Sequence, residues 1–473
     1  MHPLWSISEL SAVLGVEAEG GSGAPITGVS IDTRSLEPGD LFVALIDQRD
    51  GHDFVSAAFK AGAAAALVRE SYARQPGDGA LFRVPDTLAA LEALGVAARK
   101  RLSPDARIVG VTGSVGKTGT KEMLRACLSR LGPTHASEKS YNNHWGVPLT
   151  LARMPRETKF GVFEIGMNHA DEIRPLTKMV RPHAAIITTV EAVHLEHFPS
   201  VEAIADAKAE IFEGLPEGGA AIIKFENPHA GRLRATAERL GAKPITFGLD
   251  VPADVQGLQL TASDGGSDMT VVVGGGSIPV HVAMPGRHIA ENALAVAAAL
   301  HAVGADVRQG LDALASLAPP AGRGARSVLR IGAGEGLLID ESYNANPASM
   351  KAALAALAAV PRAKYSRRIA VLGDMLELGS DAQALHTGLK SAVDEADVDL
   401  VFACGPHMKG LYDALPAAKK GGYASTSQSI GTALADSLRA GDVVMVKASN
   451  GIRLGSVVAA LKMQFGQQDE PAA

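Results

Sequence analysis

Thr112-Gly113-Ser114-Val115-Gly116-Lys117-Thr118 is the stretch that decides the fold. It follows a run that reads as a strand, Arg107–Thr112, and opens a helix from Thr118 that stops at Gly132-Pro133. Glycines at 113 and 116 let the backbone turn its N–H groups toward a polyphosphate at a helix N-terminus. Lys117 brings a mobile positive charge to the β- and γ-phosphates, and the Thr118 hydroxyl is a ligand for Mg²⁺. The longer form of this loop would have glycine at 111; Val111 stands there, so this is the short GxxGKT form. Residues 112–118 therefore predict ATP or GTP binding.

Outward from the loop, strands are expected at Gly161–Ile165, Ala184–Val190 and Ala220–Lys224 with helices between them, the alternation of a parallel sheet covered on both faces. Gln256–Thr261, Met269–Val273 and Ile278–Ala283 read as a small antiparallel appendix, and Ala290–Val303 as a helix. The link Ala318-Pro-Pro-Ala-Gly-Arg-Gly324 reads as a domain boundary. Beyond it, strands near Gly336–Asp340, Arg368–Leu372, Leu400–Cys404 and Asp442–Lys447 alternate with helical stretches. That block carries no GxGxxG, which argues against a dinucleotide. Ahead of the loop, Ser30–Arg34 and Leu41–Leu45 read as strands, Val55–Ala66 as a helix leading into strand Leu67–Val68, and Thr87–Leu102 as a helix. The expectation is α/β with three domains: a small N-terminal α/β domain over 1–86, a central P-loop parallel-sheet domain over 87–319, and a Rossmann-like C-terminal domain over 320–473.

Composition narrows the function classes. With 47% hydrophobic and 20% charged residues, each domain can bury an ordinary core, which excludes general disorder. The net charge of −6 argues against a nucleic-acid binder working by bulk charge. Cys127 and Cys404 stand far apart with no CxxC spacing, which excludes a disulfide framework or a structural zinc site and fits a reducing compartment. The first residues lack a basic run before an apolar core, and no apolar stretch reaches the ~20 residues that span a bilayer, so a soluble cytoplasmic protein is expected, with a monomer as the simplest state.

Three further segments make the chain recognisable: Lys121-Glu122-Met123 after the loop, Ser140-Tyr-Asn-Asn-His-Trp-Gly-Val-Pro148, and Phe163-Glu-Ile-Gly-Met-Asn168. With Asp32-Thr-Arg34 and Asp50-Gly-His-Asp-Phe54 before them, and Ile339-Asp-Glu-Ser-Tyr-Asn-Ala-Asn-Pro347 and Leu372-Gly-Asp-Met-Leu-Glu-Leu-Gly379 after, the whole chain resembles the Mur ligases. The last two segments resemble the branch that joins D-alanyl-D-alanine to UDP-N-acetylmuramoyl-tripeptide. The resemblance implies an ATP-driven amide synthesis with Mg²⁺ through an acyl phosphate. Such an intermediate hydrolyses in water, so its site must exclude solvent while aligning three substrates. The phosphate loop is also shared with folylpolyglutamate synthase. A ligase adding the third amino acid, a folylpolyglutamate synthase-like ligase, a non-enzymatic nucleotide switch and a P-loop transport or motor ATPase are the rival readings; the Asp-Asn-Pro-Arg type segment expected of the first is absent, and the hinge pattern disfavours the last.

Residue roles follow from the same match. Thr112, Gly113, Ser114, Val115, Gly116, Lys117 and Thr118 form the nucleotide loop. Glu164, a lone carboxylate ending a buried strand beside it, is placed to hold a metal, which the resemblance makes Mg²⁺. His194 and Lys208 join Lys117 and Arg323 as catalytic candidates. The resemblance implies that Lys208 is carbamylated into a metal-binding carboxylate, which requires an amine with a lowered pKa; the rival is a surface helix lysine pairing with Glu210 or Glu213. Asn292 is implied at the adenine, Asp340 at the ribose hydroxyls, and the hinge residue Arg323 at the γ-phosphate on closure. Thr33 and Arg34 are implied for the uridine diphosphate; Asn142, Asn143, Tyr343, Asn344 and Asn346 for the peptide substrate; and Asp374 and Glu377, with His386 nearby, for the dipeptide's ammonium. Lys447 and Ser449 are expected to face the cleft, whereas Ile289, Glu341, Asn450 and Gly455 depart from the family's pattern.

Overall fold

The computed structural model describes residues 3–20, 24–138, 140–193, 195–263 and 265–466. Three sheets follow one another along the chain. The first is four-stranded and parallel, with Gly28–Ser30, Asp40–Val43, Ala65–Arg69 and Ala80–Val84 in chain order. The strand expected at 30–34 ends at Ser30, because the Asp32 carboxylate accepts the Arg34 N–H at 2.9 Å and closes a turn. The helix expected over 55–66 is Val55–Lys60; Gly62, at φ +102° and packed against Pro38, stops it before the strand from Ala65.

The second sheet has nine strands. Arg107–Thr112 lies between Phe160–Glu164 and Ala184–Ile187, parallel to both. Thr134–Ala136 forms one edge, and Ala220–Lys224 and Lys243–Leu249 extend the sheet on the other side. These central strands read as unbroken apolar runs because separate cores cover their two faces. The three segments expected as an antiparallel appendix do pair antiparallel, as Val255–Ser263, Gly266–Val273 and Gly276–Val282, but they are not separate: Val255–Ser263 pairs in parallel with Lys243–Leu249, so they continue the main sheet. The chain order reverses at Arg107–Thr112, and a crevice opens at the carboxyl ends there, where the phosphate loop sits.

The third sheet has six strands. Ala325–Ile331 pairs antiparallel with Gly334–Glu341, and Asp442–Lys447, Arg367–Gly373, Leu400–Cys404 and Lys420–Ala424 add in parallel. The helix Thr87–Lys100 sends Leu91, Leu94 and Ala98 into the core under the first sheet, together with Trp5 and Leu149. Polar staples reinforce that junction. Trp5 Nε1 donates to the Ala152 carbonyl at 2.9 Å, and Arg101 donates to the carbonyls of Leu4 and Met154 at 2.9 and 3.0 Å. No helix among the described residues is long and apolar enough to cross a membrane.

Candidate active site

The phosphate loop is a cradle set by close backbone approach. Gly113 has φ +146°, and a Cβ there would stand 1.9 Å from Thr188 Oγ1; Gly116 has φ +88°, and a Cβ there would stand 2.7 Å from Asn292 Oδ1. The loop is tied to the next strand's end: Ser114 N–H donates to the Thr189 carbonyl at 2.9 Å and Thr188 Oγ1 to the Val115 carbonyl at 2.5 Å. Lys117 Nζ donates to the Gly113 carbonyl at 2.7 Å. Burial lowers its pKa, Glu164 opposes that shift, and Arg323 adds to it. Thr112 is fully buried and lies outside the cleft lining, and its hydroxyl has no hydrogen-bond partner among the described residues.

Glu164, 1% exposed, is the carboxylate bonded to the loop's Thr118. Thr118 Oγ1 donates to its Oε2 at 2.8 Å and Asn142 Nδ2 to its Oε1 at 2.8 Å, while its own N–H reaches Ser137 Oγ at 3.3 Å. Among the described residues no three His, Cys, Asp or Glu side chains gather as a metal cage. One carboxylate and one hydroxyl beside a phosphate loop are instead the sparse oxygen set that suits Mg²⁺, which keeps water and phosphate as its other ligands. Lys208, on the helix Val201–Ala209, is 2% exposed. Burial first, and Lys117 second, push its amine well below the usual lysine range. The surface-lysine alternative is thereby corrected: Glu210 instead accepts the N–H groups of Asp171 and Arg174, and Glu213 pairs with Arg174 and Lys178. His194 lies outside the described residues.

The third block closes the cleft, whose volume is about 480 Å³. Arg323, Glu341, Tyr343, Asn344, Asn346 and Lys447 line it opposite Lys117, Thr118 and Glu164. Lys447 Nζ sits 3.3 Å from Glu341 Oε2 and donates to the Asn344 carbonyl at 3.0 Å; burial lowers its pKa, with Glu341 opposing. Asn292, His288 and Glu291 from the helix Arg287–Ala302 also line the cleft, with Lys224 donating to Glu291 at 2.7 Å. Burial lowers the His288 pKa, so its ring is neutral at pH 7.

Residues 111–300 match the Mur ligase middle domain, and residues 328–450 match the Mur ligase glutamate ligase domain. The UDP-N-acetylmuramoyl-tripeptide–D-alanyl-D-alanine ligase of Escherichia coli is 37% identical over 86% of this chain and 88% of its own. The chain belongs to the Mur ligases. MurF from Acinetobacter baumannii superposes with a TM-score of 0.82 at 27% identity, covering 97% of this chain and 99% of that one. MurF from Thermotoga maritima, solved in complex with ADP, gives 0.75 at 25% identity over 92% and 97% of the two chains.

Within this Mur ligase several expected residues have other work. Asp340 lies outside the cleft lining: its carboxylate accepts the N–H groups of Gly322 and Ser342, both at 3.1 Å, and the Ser342 hydroxyl at 2.6 Å. Glu341 stands at the wall instead. Strand alternation, which sends neighbours to opposite faces, is the signal that separates the two. Asp374, expected at the dipeptide, is 1% exposed and accepts the N–H groups of His407 and Met408 at 3.1 and 2.8 Å, at the start of a helix. His386 is fully buried and its Nε2 accepts the Met375 N–H at 2.8 Å. Both are structural. Asn346 lines the cleft, but its Oδ1 caps the helix Pro347–Ala358 through the Ser349 N–H. Asn143 accepts the Gly146 N–H at 2.9 Å and lies outside the cleft lining, as do the exposed Glu377 and the turn carrying Thr33 and Arg34, whose guanidinium pairs with Asp32 at 2.6 Å. Ser449 is also outside it, donating to the Ala345 carbonyl at 3.3 Å. Glu191 and His288 were not singled out as site residues by the sequence, which showed an isolated acid in a loop and a histidine at a helix start.

Proposed function

We propose that this Mur ligase joins D-alanyl-D-alanine to UDP-N-acetylmuramoyl-tripeptide, driven by ATP, in the making of a peptidoglycan precursor. The observation that carries this reading is end-to-end similarity to ligases of that name, together with a cleft in which Lys117 and Glu164 face Arg323 and Lys447. The tripeptide's terminal carboxylate takes the γ-phosphoryl group, and the dipeptide's amine then attacks the acyl phosphate, expelling inorganic phosphate and losing a proton. Lys117 and Arg323 neutralise charge on the transferring group from opposite walls. Thr118 and Glu164 would hold Mg²⁺, with Asn142 fixing the Glu164 carboxylate and Ser137 accepting its backbone N–H. Bound there, Mg²⁺ supplies charge neutralisation and orients phosphate oxygens. Burial shifts the Lys208 amine toward its uncharged form, the form that adds CO₂ to give a carbamate and release a proton, so that it would serve as a second anionic ligand. His194, outside the described residues, remains a catalytic candidate.

Asn292 and the neutral His288 flank the adenine, and Glu341 replaces Asp340 as the group for the ribose hydroxyls. The block 1–86, with Thr33 and Arg34, takes the uridine diphosphate; 87–319 binds ATP; 320–473 brings the dipeptide, with Asn344, Asn346 and Glu377 toward the peptide substrates. A monomer in the cytoplasm suits soluble nucleotide substrates. The deciding experiment is ADP release with UDP-N-acetylmuramoyl-tripeptide, with and without D-alanyl-D-alanine. Release that depends on the dipeptide supports the reading. Release driven instead by a single amino acid or by no acceptor refutes it.

A further inference from the structure

The segment joining the second and third blocks is clasped to the end of the strand Gly334–Glu341. Gly322 N–H donates to Asp340 Oδ2 at 3.1 Å, Gly324 N–H to the Asp340 carbonyl at 2.8 Å, and Tyr343 N–H to the Gly322 carbonyl at 3.2 Å. The two segments touch so closely that a Cβ on Gly322, at φ +74°, would lie 2.8 Å from Tyr343 Cβ. On this clasp the Arg323 guanidinium carbon lies 4.2 Å over the centre of the Tyr343 ring. The Tyr343 hydroxyl has no hydrogen-bond partner among the described residues, so the ring face is what the structure uses. Arginine has many rotamers, and a stacked ring removes most of them while leaving the N–H groups free at the guanidinium edge.

We propose that Tyr343 is a positioning residue: its ring, fixed by the Asp340 clasp, aims Arg323 across the cleft at the group held by Lys117. The proposal rests on the ligase reading and departs from it by taking Tyr343 away from substrate contact. A ring platform is indifferent to the hydroxyl and invisible to the affinity for either peptide substrate. A substrate contact would be neither.

The test compares Tyr343→Phe, Tyr343→Leu, Arg323→Lys and the double variant Arg323→Lys/Tyr343→Leu, each checked for wild-type melting. Tyr343→Phe should keep kcat within about threefold, while Tyr343→Leu should lose about 10- to 100-fold in kcat with the KM for both peptide substrates within about threefold. The double variant should be no slower than Arg323→Lys alone, because the platform has nothing left to aim. Equal losses in Phe and Leu, a KM effect for either peptide substrate, or additive losses would each overturn the proposal. Wild-type protein that ignores the dipeptide would count against the ligase reading alone. The same variants are then read by calorimetry with a non-hydrolysable ATP analogue and ADP. Tyr343→Phe should keep the wild-type preference for the triphosphate and Tyr343→Leu should reduce it to that of Arg323→Lys; an unchanged preference in Tyr343→Leu overturns the platform.

Discussion

Lys208 is 2% exposed, has no ion pair with a described carboxylate, and lies near enough to Lys117 for the two charges to repel. A lysine left in that state binds fewer protons folded than unfolded, so its presence costs stability until the pH rises toward its ordinary value. Conversion to a carbamate replaces the buried amine with an anion that suits both Lys117 and a metal. Lys208→Ala is therefore expected to be folded and nearly inactive, with millimolar short-chain carboxylates restoring part of the turnover at fixed Mg²⁺. Near-normal turnover without added acid would remove Lys208 from the site, and inactivity without rescue would remove the carbamate.

His183 shows how one side chain conditions an element. It precedes the strand Ala184–Ile187 and its Nδ1 accepts the Ile108 N–H at 2.9 Å, tying that strand to Arg107–Thr112, which carries the phosphate loop. Burial, then Arg99, Arg107 and Arg181, bring its pKa down from 6.5 to about 4. The ring is thus neutral in the fold but protonates below 6.5 once unfolded, so stability falls as the pH drops from 6.5 to about 4 and changes no further below that. The gap is worth at most about 3 kcal/mol. His183→Asn, which keeps an acceptor but no titration, should flatten that limb. Urea unfolding at pH 7 and pH 5 measures it; equal losses in both proteins would show that the imidazole is not responsible.

At the scale of the whole molecule, the first block is joined to the second by a shared apolar core and by side-chain bonds that cross the junction. Arg101 is central to that junction: besides its bonds to Leu4 and Met154, its guanidinium lies 3.8 Å over the Trp5 ring. Arg101→Ala loses two charge-assisted bonds and the stacking, about 2–4 kcal/mol. The expected result is a lower melting midpoint and a raised KM for the UDP-substrate with ATP affinity unchanged, read by calorimetry and kinetics on one preparation. An unshifted midpoint would mean that the junction stands on its apolar contacts.

Arg107–Thr112, Ala220–Lys224, Leu400–Cys404 and Asp442–Lys447 are legible in the sequence to the residue, because strands covered on both faces are written as unbroken apolar runs. The phosphate loop is legible because glycine, lysine and threonine at fixed spacing are demanded by local backbone geometry. Lys243–Leu249, Ala325–Ile331 and Lys420–Ala424 are not: each carries polar or glycine positions, and only its sheet neighbours make it a strand. The same holds for the acids. Glu164, Asp340 and Asp374 all end apolar runs at strand ends, and sequence alone makes each a candidate ligand. Tertiary structure gives Glu164 to the cleft, while Asp340 and Asp374 are saturated by N–H groups from Gly322 and from His407 and Met408, residues distant in the chain. A carboxylate's function depends on which donors reach it first, and those donors come from folds of the chain that no local pattern records.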